Sequence, residues 1–190
     1  MTSVRILWLL LCVAWIVAEI RLARKTKVDV NQVSDSETRS QWILWLTVVI
    51  SLIAALIFKA LAWTPILIEY LPRQFIALVL FAVGLYFRYY AVGRLGHFFT
   101  TNVSIQREHK LIIDGPYRWV RHPAYSGLLI ALAAAGLAMG DLVALLLLVV
   151  PVFFALRVRI DIEEMLLNKK FGLVYQDYCK STRKLLPWLY

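Results

Sequence analysis

Cysteine is nearly absent: Cys12 and Cys179 are the only two in 190 residues. Two are too few for a disulfide framework or a four-cysteine metal site. The three histidines, His97, His109 and His122, follow no metal-ligand spacing and have no acidic cluster beside them, so no metal is expected. Nor is there an internal repeat or a low-complexity linker, and the chain reads as one domain over 1–190. Acidic residues are also few, 12 against 21 Lys and Arg, which leaves a net charge of +9. Such an excess points first to nucleic acid. A basic patch on a soluble surface, however, does not account for a chain that is 61% hydrophobic with a mean hydropathy of +0.70. No nucleic-acid partner is therefore expected. The aromatic and branched aliphatic content excludes disorder. What remains is a small polytopic membrane protein.

What the chain does have is long uncharged sequence. Ile6 to Ile20 is apolar apart from Glu19, and Trp42 to Ala62 apart from Lys59; Phe75 to Phe87 carries no charge. Gly127 to Leu156 holds only Asp141, close behind Gly136, Met139 and Gly140. Thirty apolar residues are too many for one crossing of a core about 30 Å thick. The Gly-Asp break predicts a helical hairpin over 124–156, with arms of about 14 residues, or roughly 21 Å each. Such arms thin the bilayer or extend by a turn at each end. The fold class is all-α with about five transmembrane helices: spans 1–3 over 1–87, then a core over 88–190 of loop, hairpin and C-terminal helices.

Basic residues set the expected orientation. Segments 21–41, 88–122 and 157–190 hold 18 of the 21, so these lie on one side, with Arg5, Lys59 and Arg73 on or near the other. The C-terminus is expected in the cytoplasm and the N-terminus outside, in a cell inner membrane or the endoplasmic reticulum. The basic residues of the first run come after its apolar part and no small-x-small site ends it, so a retained span is expected over a cleaved signal. Trp8, Trp15, Trp42, Trp45, Trp63 and Trp188 fall mostly near predicted span ends, where indole rings favour the interface.

Two stretches flank the hairpin. The first ends in Gly115-Pro116-Tyr117-Arg118-Trp119-Val120-Arg121-His122-Pro123-Ala124-Tyr125-Ser126-Gly127. Each proline pushes the residue before it out of the α region, so His122 is expected to be extended where the chain enters the fourth span. Interfacial anchoring explains Arg118, Trp119, Arg121 and Tyr125 one at a time. The density of proline, glycine, histidine and aromatics suits a shaped pocket better. In the second stretch, Ile160, Glu164, Leu167 and Phe171 share one helical face. Glu163 falls beside Arg159 at i, i+4, an exposed pair of little energetic weight. Glu164 stands on the apolar stripe, and a carboxylate there needs a partner. Arg121, His122 and the hydroxyls of a bound cofactor are the candidates. Asp141 reads as a turn residue at the outer end of the hairpin.

At these residues the chain resembles the isoprenylcysteine carboxyl methyltransferase family, whose wider relatives include phospholipid N-methyltransferases. The resemblance rests on Gly115-Pro116-Tyr117-Arg118, Arg121-His122-Pro123-x-Tyr125-x-Gly127, Arg159-x-x-x-Glu163-Glu164-x-x-Leu167 and Phe171-Gly172-x-x-Tyr175-x-x-Tyr178, and covers roughly residues 88–190. It implies an integral-membrane enzyme that uses S-adenosylmethionine without a Rossmann domain. The lack of any Gly-x-Gly-x-x-Gly is then expected. It further implies a cytoplasm-facing cofactor site lined by His109, Leu111, Tyr117, Arg121, His122, Pro123, Tyr125 and Glu164. By the same resemblance, Arg159 and Glu163 are expected nearer a lipophilic or prenylated substrate that arrives among membrane lipids.

The reaction suits the residues present. Methyl transfer from a sulfonium is an in-line displacement, so positioning dominates. A carboxylate acceptor with a pKa of about 3.5 is ionised at neutral pH and needs a cation, not a base; Arg159 offers a two-pronged one. Methylation of a lipid amine is the nearest alternative and would require a base such as Glu163 or His122. The tail from Tyr175-x-x-Tyr178 also resembles NADPH-dependent membrane sterol reductases, which are much longer. A non-enzymatic membrane scaffold would leave Glu164 and the Arg121-His122-Pro123 cluster without a role.

Overall fold

The computed structural model describes residues 2–25, 35–96, 99 and 111–186. His97, His109, Pro187 and Trp188 lie outside the described residues. Each of the five apolar segments forms a helix: α1 (Thr2–Lys25), α2 (Asp35–Leu61), α3 (Tyr70–Leu95), α4 (Pro123–Met139) and α5 (Leu142–Phe171). A sixth, α6 (Leu173–Ser181), follows, and a 3-10 turn at Gly115–Arg118 precedes α4. Among the described residues, α1, α2, α3 and α5 contain stretches long and apolar enough to cross a membrane, and α4 is a shorter apolar helix. Helices suit that setting because they satisfy their backbone polar groups internally.

Neighbouring contacts set the helix directions. Ala55 packs with Ala144 and Leu148, and Leu44 with Val152 and Leu156, so α2 and α5 run antiparallel. Gln74 donates to the Ala138 carbonyl at 2.8 Å while Arg88 reaches Ala124, so α3 and α4 do likewise. α1 lies beside α3 in the same direction: Trp8 donates to Gln74 at 2.6 Å and Glu19 meets Arg88. The two tryptophans of α1 depart from the interfacial expectation. Trp8 and Trp15 turn inward onto Phe81, with ring centroids at 5.2 and 5.6 Å in edge-on geometry.

Small residues fill the helix contacts. Ala55, Ala77, Ala91, Ala131, Ala134 and Ala144 are fully buried, whereas Leu9, Leu46, Leu71 and Phe75 face outward. Lipid offers leucine an environment as apolar as the protein's interior, so close approach of backbones decides what goes inside. The tightest crossing joins α3 to α4. A Cβ on Gly127 would stand 2.5 Å from the Gly84 carbonyl oxygen and 2.6 Å from the Arg88 nitrogen.

The hairpin forms at the predicted break, with unequal arms. α4 ends at Gly140 in the left-handed region (φ +81°), which suits glycine. Asp141 then caps α5, accepting from Ala144 N at 2.9 Å. It does more than turn the chain. It is buried, and it also accepts from Thr64 N at 2.8 Å, while Thr64 Oγ1 accepts from Val143 N at 3.0 Å. The α2–α3 connection is thereby clipped to the hairpin turn. The second arm runs well past Leu156: α5 has 30 residues, about 45 Å of helix. Arg159, Glu163 and Glu164 thus ride on the same rigid element as the last membrane-crossing stretch, not on a separate C-terminal helix.

Candidate functional site

The motif residues gather where α4 begins and α5 leaves its apolar stretch. Pro116 is the second residue of the 3-10 turn and Pro123 the first of α4, with His122 as the N-cap in a non-helical conformation (φ −124°). Between them, residues 119–122 run beside the tail at 183–185. Arg121 N donates to the Arg183 carbonyl at 2.8 Å, His122 N to the Lys184 carbonyl at 3.0 Å, and Arg183 N to the Trp119 carbonyl at 3.3 Å. The Ser126 hydroxyl donates to the Leu185 carbonyl, and the Tyr178 hydroxyl to that of Tyr117 at 2.6 Å. The tail is therefore part of the site's wall.

Glu164 has the partners its place on the apolar stripe demands. Arg121 Nε donates to its Oε1 at 2.8 Å and His122 Nε2 stands 3.2 Å from the same oxygen; Lys184 Nζ lies 3.3 Å from Oε2. Arg121 also donates to the Thr182 carbonyl at 2.6 Å, which ties the carboxylate to the tail. Burial alone would lower the pKa of Arg121, but its bond to Glu164 outweighs that and holds it above the usual value. Lys184 behaves alike, with Asp161 at 2.7 Å as the leading stabiliser.

A second chain of contacts runs through Tyr125. Its hydroxyl accepts from Arg159 Nε at 2.9 Å and donates to Glu163 Oε2 at 3.0 Å. Glu163 thus has a partner on α4 and is more than an exposed helix pair. The His122 ring stacks on Tyr125 with centroids 5.8 Å apart, and its Nδ1 lies 3.7 Å from Glu163 Oε2. His122 therefore sits between the two carboxylates and joins the two networks.

The remaining candidates surround this centre. Tyr117 is buried, its hydroxyl donates to the Ala91 carbonyl at 3.3 Å, and burial pushes its pKa up. Burial does the same for Tyr175 and Tyr178 on α6. Pro123 is fully buried, and Leu111 is half-buried where the described chain resumes ahead of the 3-10 turn. Sequence reasoning missed Lys184, Thr182 and Ser126. Lys184 reads in the sequence only as an orientation charge; the other two carry no signal that separates them from ordinary polar residues.

A family model described as the isoprenylcysteine carboxyl methyltransferase (ICMT) family matches residues 75–169, half of the chain, with the first motif stretch from Gly115 to Gly127 and the second from Arg159 to Leu167. A probable protein-S-isoprenylcysteine O-methyltransferase of Oryza sativa subsp. indica is 32% identical over 127 residues, 66% of each chain. The protein-S-isoprenylcysteine O-methyltransferase of Schizosaccharomyces pombe is 29% identical over 156 residues, 75% of this chain and 66% of that one. The structure of the eukaryotic intramembrane Ras methyltransferase ICMT superposes with a TM-score of 0.61 at 22% identity, covering 76% of this chain and 52% of that chain. The chain thus spans about two thirds of the curated relatives' length and about half of the solved chain, whose likeness speaks to fold. On the family match over half its length, the chain belongs to the isoprenylcysteine carboxyl methyltransferase family.

Proposed function

We propose that the protein is an S-adenosylmethionine-dependent methyltransferase of the membrane, transferring a methyl group to the carboxylate of a lipophilic substrate of the prenylcysteine type. The observation that carries this reading is the meeting of the two motif stretches: Arg121–Glu164–His122 and Arg159–Tyr125–Glu163 form adjoining networks where α5 leaves its apolar stretch.

The donor set fits S-adenosylmethionine. Its hydroxyls and ammonium group call for acceptors, which Glu164 and the 29% exposed Glu163 side chain supply. Its carboxylate calls for a cation or backbone donors, which Arg121 and the 24% exposed Lys184 supply. Tyr117, Pro123, Tyr125 and Leu111 offer apolar and aromatic walls for an adenine, and His109 completes the proposed set. When bound, the group supplies an electrophilic methyl on sulfonium.

The protein's own part is positioning. Arg159 is assigned to hold an acceptor carboxylate with a planar donor pair; its 4% exposure supports this, since such pairing is strong in a water-poor site. Tyr125 and Glu163 keep that guanidinium oriented. Oxygen is already ionised in such an acceptor, so no proton need be removed before displacement. The motif end of the bundle is proposed to face the cytoplasm, with prenyl chain and membrane lipids alongside the helices.

Calorimetric titration of the purified protein tests the cofactor assignment. Saturable heat is expected with S-adenosylmethionine and none with NADPH; the reverse pattern would end this reading. His122→Ala and Glu164→Ala should each weaken binding by about tenfold, or 1.4 kcal/mol. Arg159→Ala should leave affinity within about threefold and act on turnover instead.

A further inference from the structure

Glu19 and Arg88 are charged residues inside the helix bundle, far from the motif residues in sequence and each 8% exposed. They pair in two-pronged geometry: Nε to Oε1 and Nη2 to Oε2, both at 2.7 Å. Trp15 and Tyr89 each donate to Oε1 at 3.1 Å, so the carboxylate is fully engaged. The remaining prong leaves the pair: Arg88 Nη1 donates to the Ala124 carbonyl at 3.2 Å, in the first turn of α4.

Energy alone does not explain this arrangement. Taking both ions out of water costs about as much as their attraction returns, and apolar side chains of similar volume hold helices together equally well. Ionisable groups inside membrane helices therefore mark a placement with a purpose. What an apolar pair cannot do is grip a carbonyl. Ala124 is the residue before Tyr125, whose hydroxyl must fall between Arg159 Nε and Glu163 Oε2. One turn on, Gly127 touches the backbone of Arg88 itself, where a Cβ would come within 2.6 Å of its nitrogen. α4 is thus held to Arg88 at the turn that carries Tyr125.

We propose that Glu19 and Arg88 are positioning residues for methyl transfer. The pair fixes the rotation of the first turn of α4 and so seats the Tyr125 hydroxyl between Arg159 and Glu163. This proposal rests on the function proposed above. It adds a polar contribution from α1.

The test is the apolar replacement Glu19→Leu with Arg88→Met in the full chain, reconstituted in lipid nanodiscs, with 3-fluorotyrosine placed at 125. The double variant should keep its helicity and unfold cooperatively. Its kcat should fall at least about tenfold, with KM values within about threefold, because misplacement of reacting groups acts on the transition state. The fluorine resonance at 125 should move. Tyr125→Phe should cost at least about tenfold in the native background and little in the double variant, since both changes break one linkage. Native kcat with an unmoved resonance, or losses that simply multiply, would overturn the proposal. Arg88→Lys provides a second variant should the double replacement fail to fold. It keeps the charge but loses the fork, so it should show the same fall in kcat; full activity there would also overturn the proposal. Absence of methyl transfer by the native protein would sink the reaction assigned above, whereas the fluorine shift would still decide the positioning.

Discussion

Glu164 is held by Arg121 at 2.8 Å, by His122 at 3.2 Å and by Lys184 at 3.3 Å, and so links α5 to the entry of α4 and to the tail. Removing it would leave a largely buried guanidinium with one partner fewer. Glu164→Ala should therefore lower stability by about 1–3 kcal/mol as well as weaken cofactor binding, measurable as an earlier thermal transition. Glu164→Gln should recover much of the stability and little of the binding. Arg159→Lys should reduce turnover by about a hundredfold while leaving the thermal transition near its native position, because a point charge does not replace a planar fork. Glu164 is legible in the sequence because a carboxylate on an apolar helical stripe needs a partner, and a motif with Arg121 and His122 lies across the hairpin. The Glu19–Arg88 pair is not: Glu19 interrupts one apolar run and Arg88 borders another, and nothing in either run names the other. By sequence Arg88 groups with the orientation charges, yet it is buried.

The α3–α4 crossing carries the site because both helices come within backbone contact at Gly84 and Gly127. A methyl group at Gly127 meets carbonyl and amide atoms that cannot swing aside, so Gly127→Ala should separate the helices next to the turn that carries Tyr125. The expected result is loss of methyl transfer together with a lower thermal transition. The same change at Gly93, where an added methyl group would meet nothing within 4 Å, should leave both unaltered. At the opposite end, the Asp141 carboxylate accepts from Ala144 N and Thr64 N, and these bonds hold its pKa below the usual value. Its contribution is present at neutral pH and is lost as pH falls through the lowered pKa. Asp141→Asn should remove most of that acid sensitivity, read as a flatter dependence of the thermal transition on pH. The hairpin break is legible from Gly136, Gly140 and Asp141. The length of α5 is not, because the change from apolar to charged residues at Arg157 looks like a helix end when it is only the end of the apolar stretch.

The molecule as a whole is an integral membrane protein whose five apolar helices alternate in direction and place the motif residues together at one end. Composition and the spacing of charges are enough to anticipate this, since lipid admits only segments that satisfy their own backbone. Which residues face inward is harder to read: alanines line the closest helix contacts, while leucine and phenylalanine occur on both sides, Leu148, Leu156 and Phe81 inside and Leu9, Leu71 and Phe75 outside. The tail at 182–185 is also hidden, because its backbone pairing with 119–122 leaves no pattern in side-chain type. If the acceptor is a carboxylate, turnover should be flat between about pH 6 and pH 8, whereas an amine acceptor would give an acid limb in that range. The decisive measurement is methyl transfer from S-adenosylmethionine labelled in its methyl group to a farnesylcysteine analogue by the purified, reconstituted protein. Label should appear in a base-labile methyl ester and be lost with Arg159→Ala; no transferred label, or label in a base-stable N-methyl product, would contradict the proposed reaction.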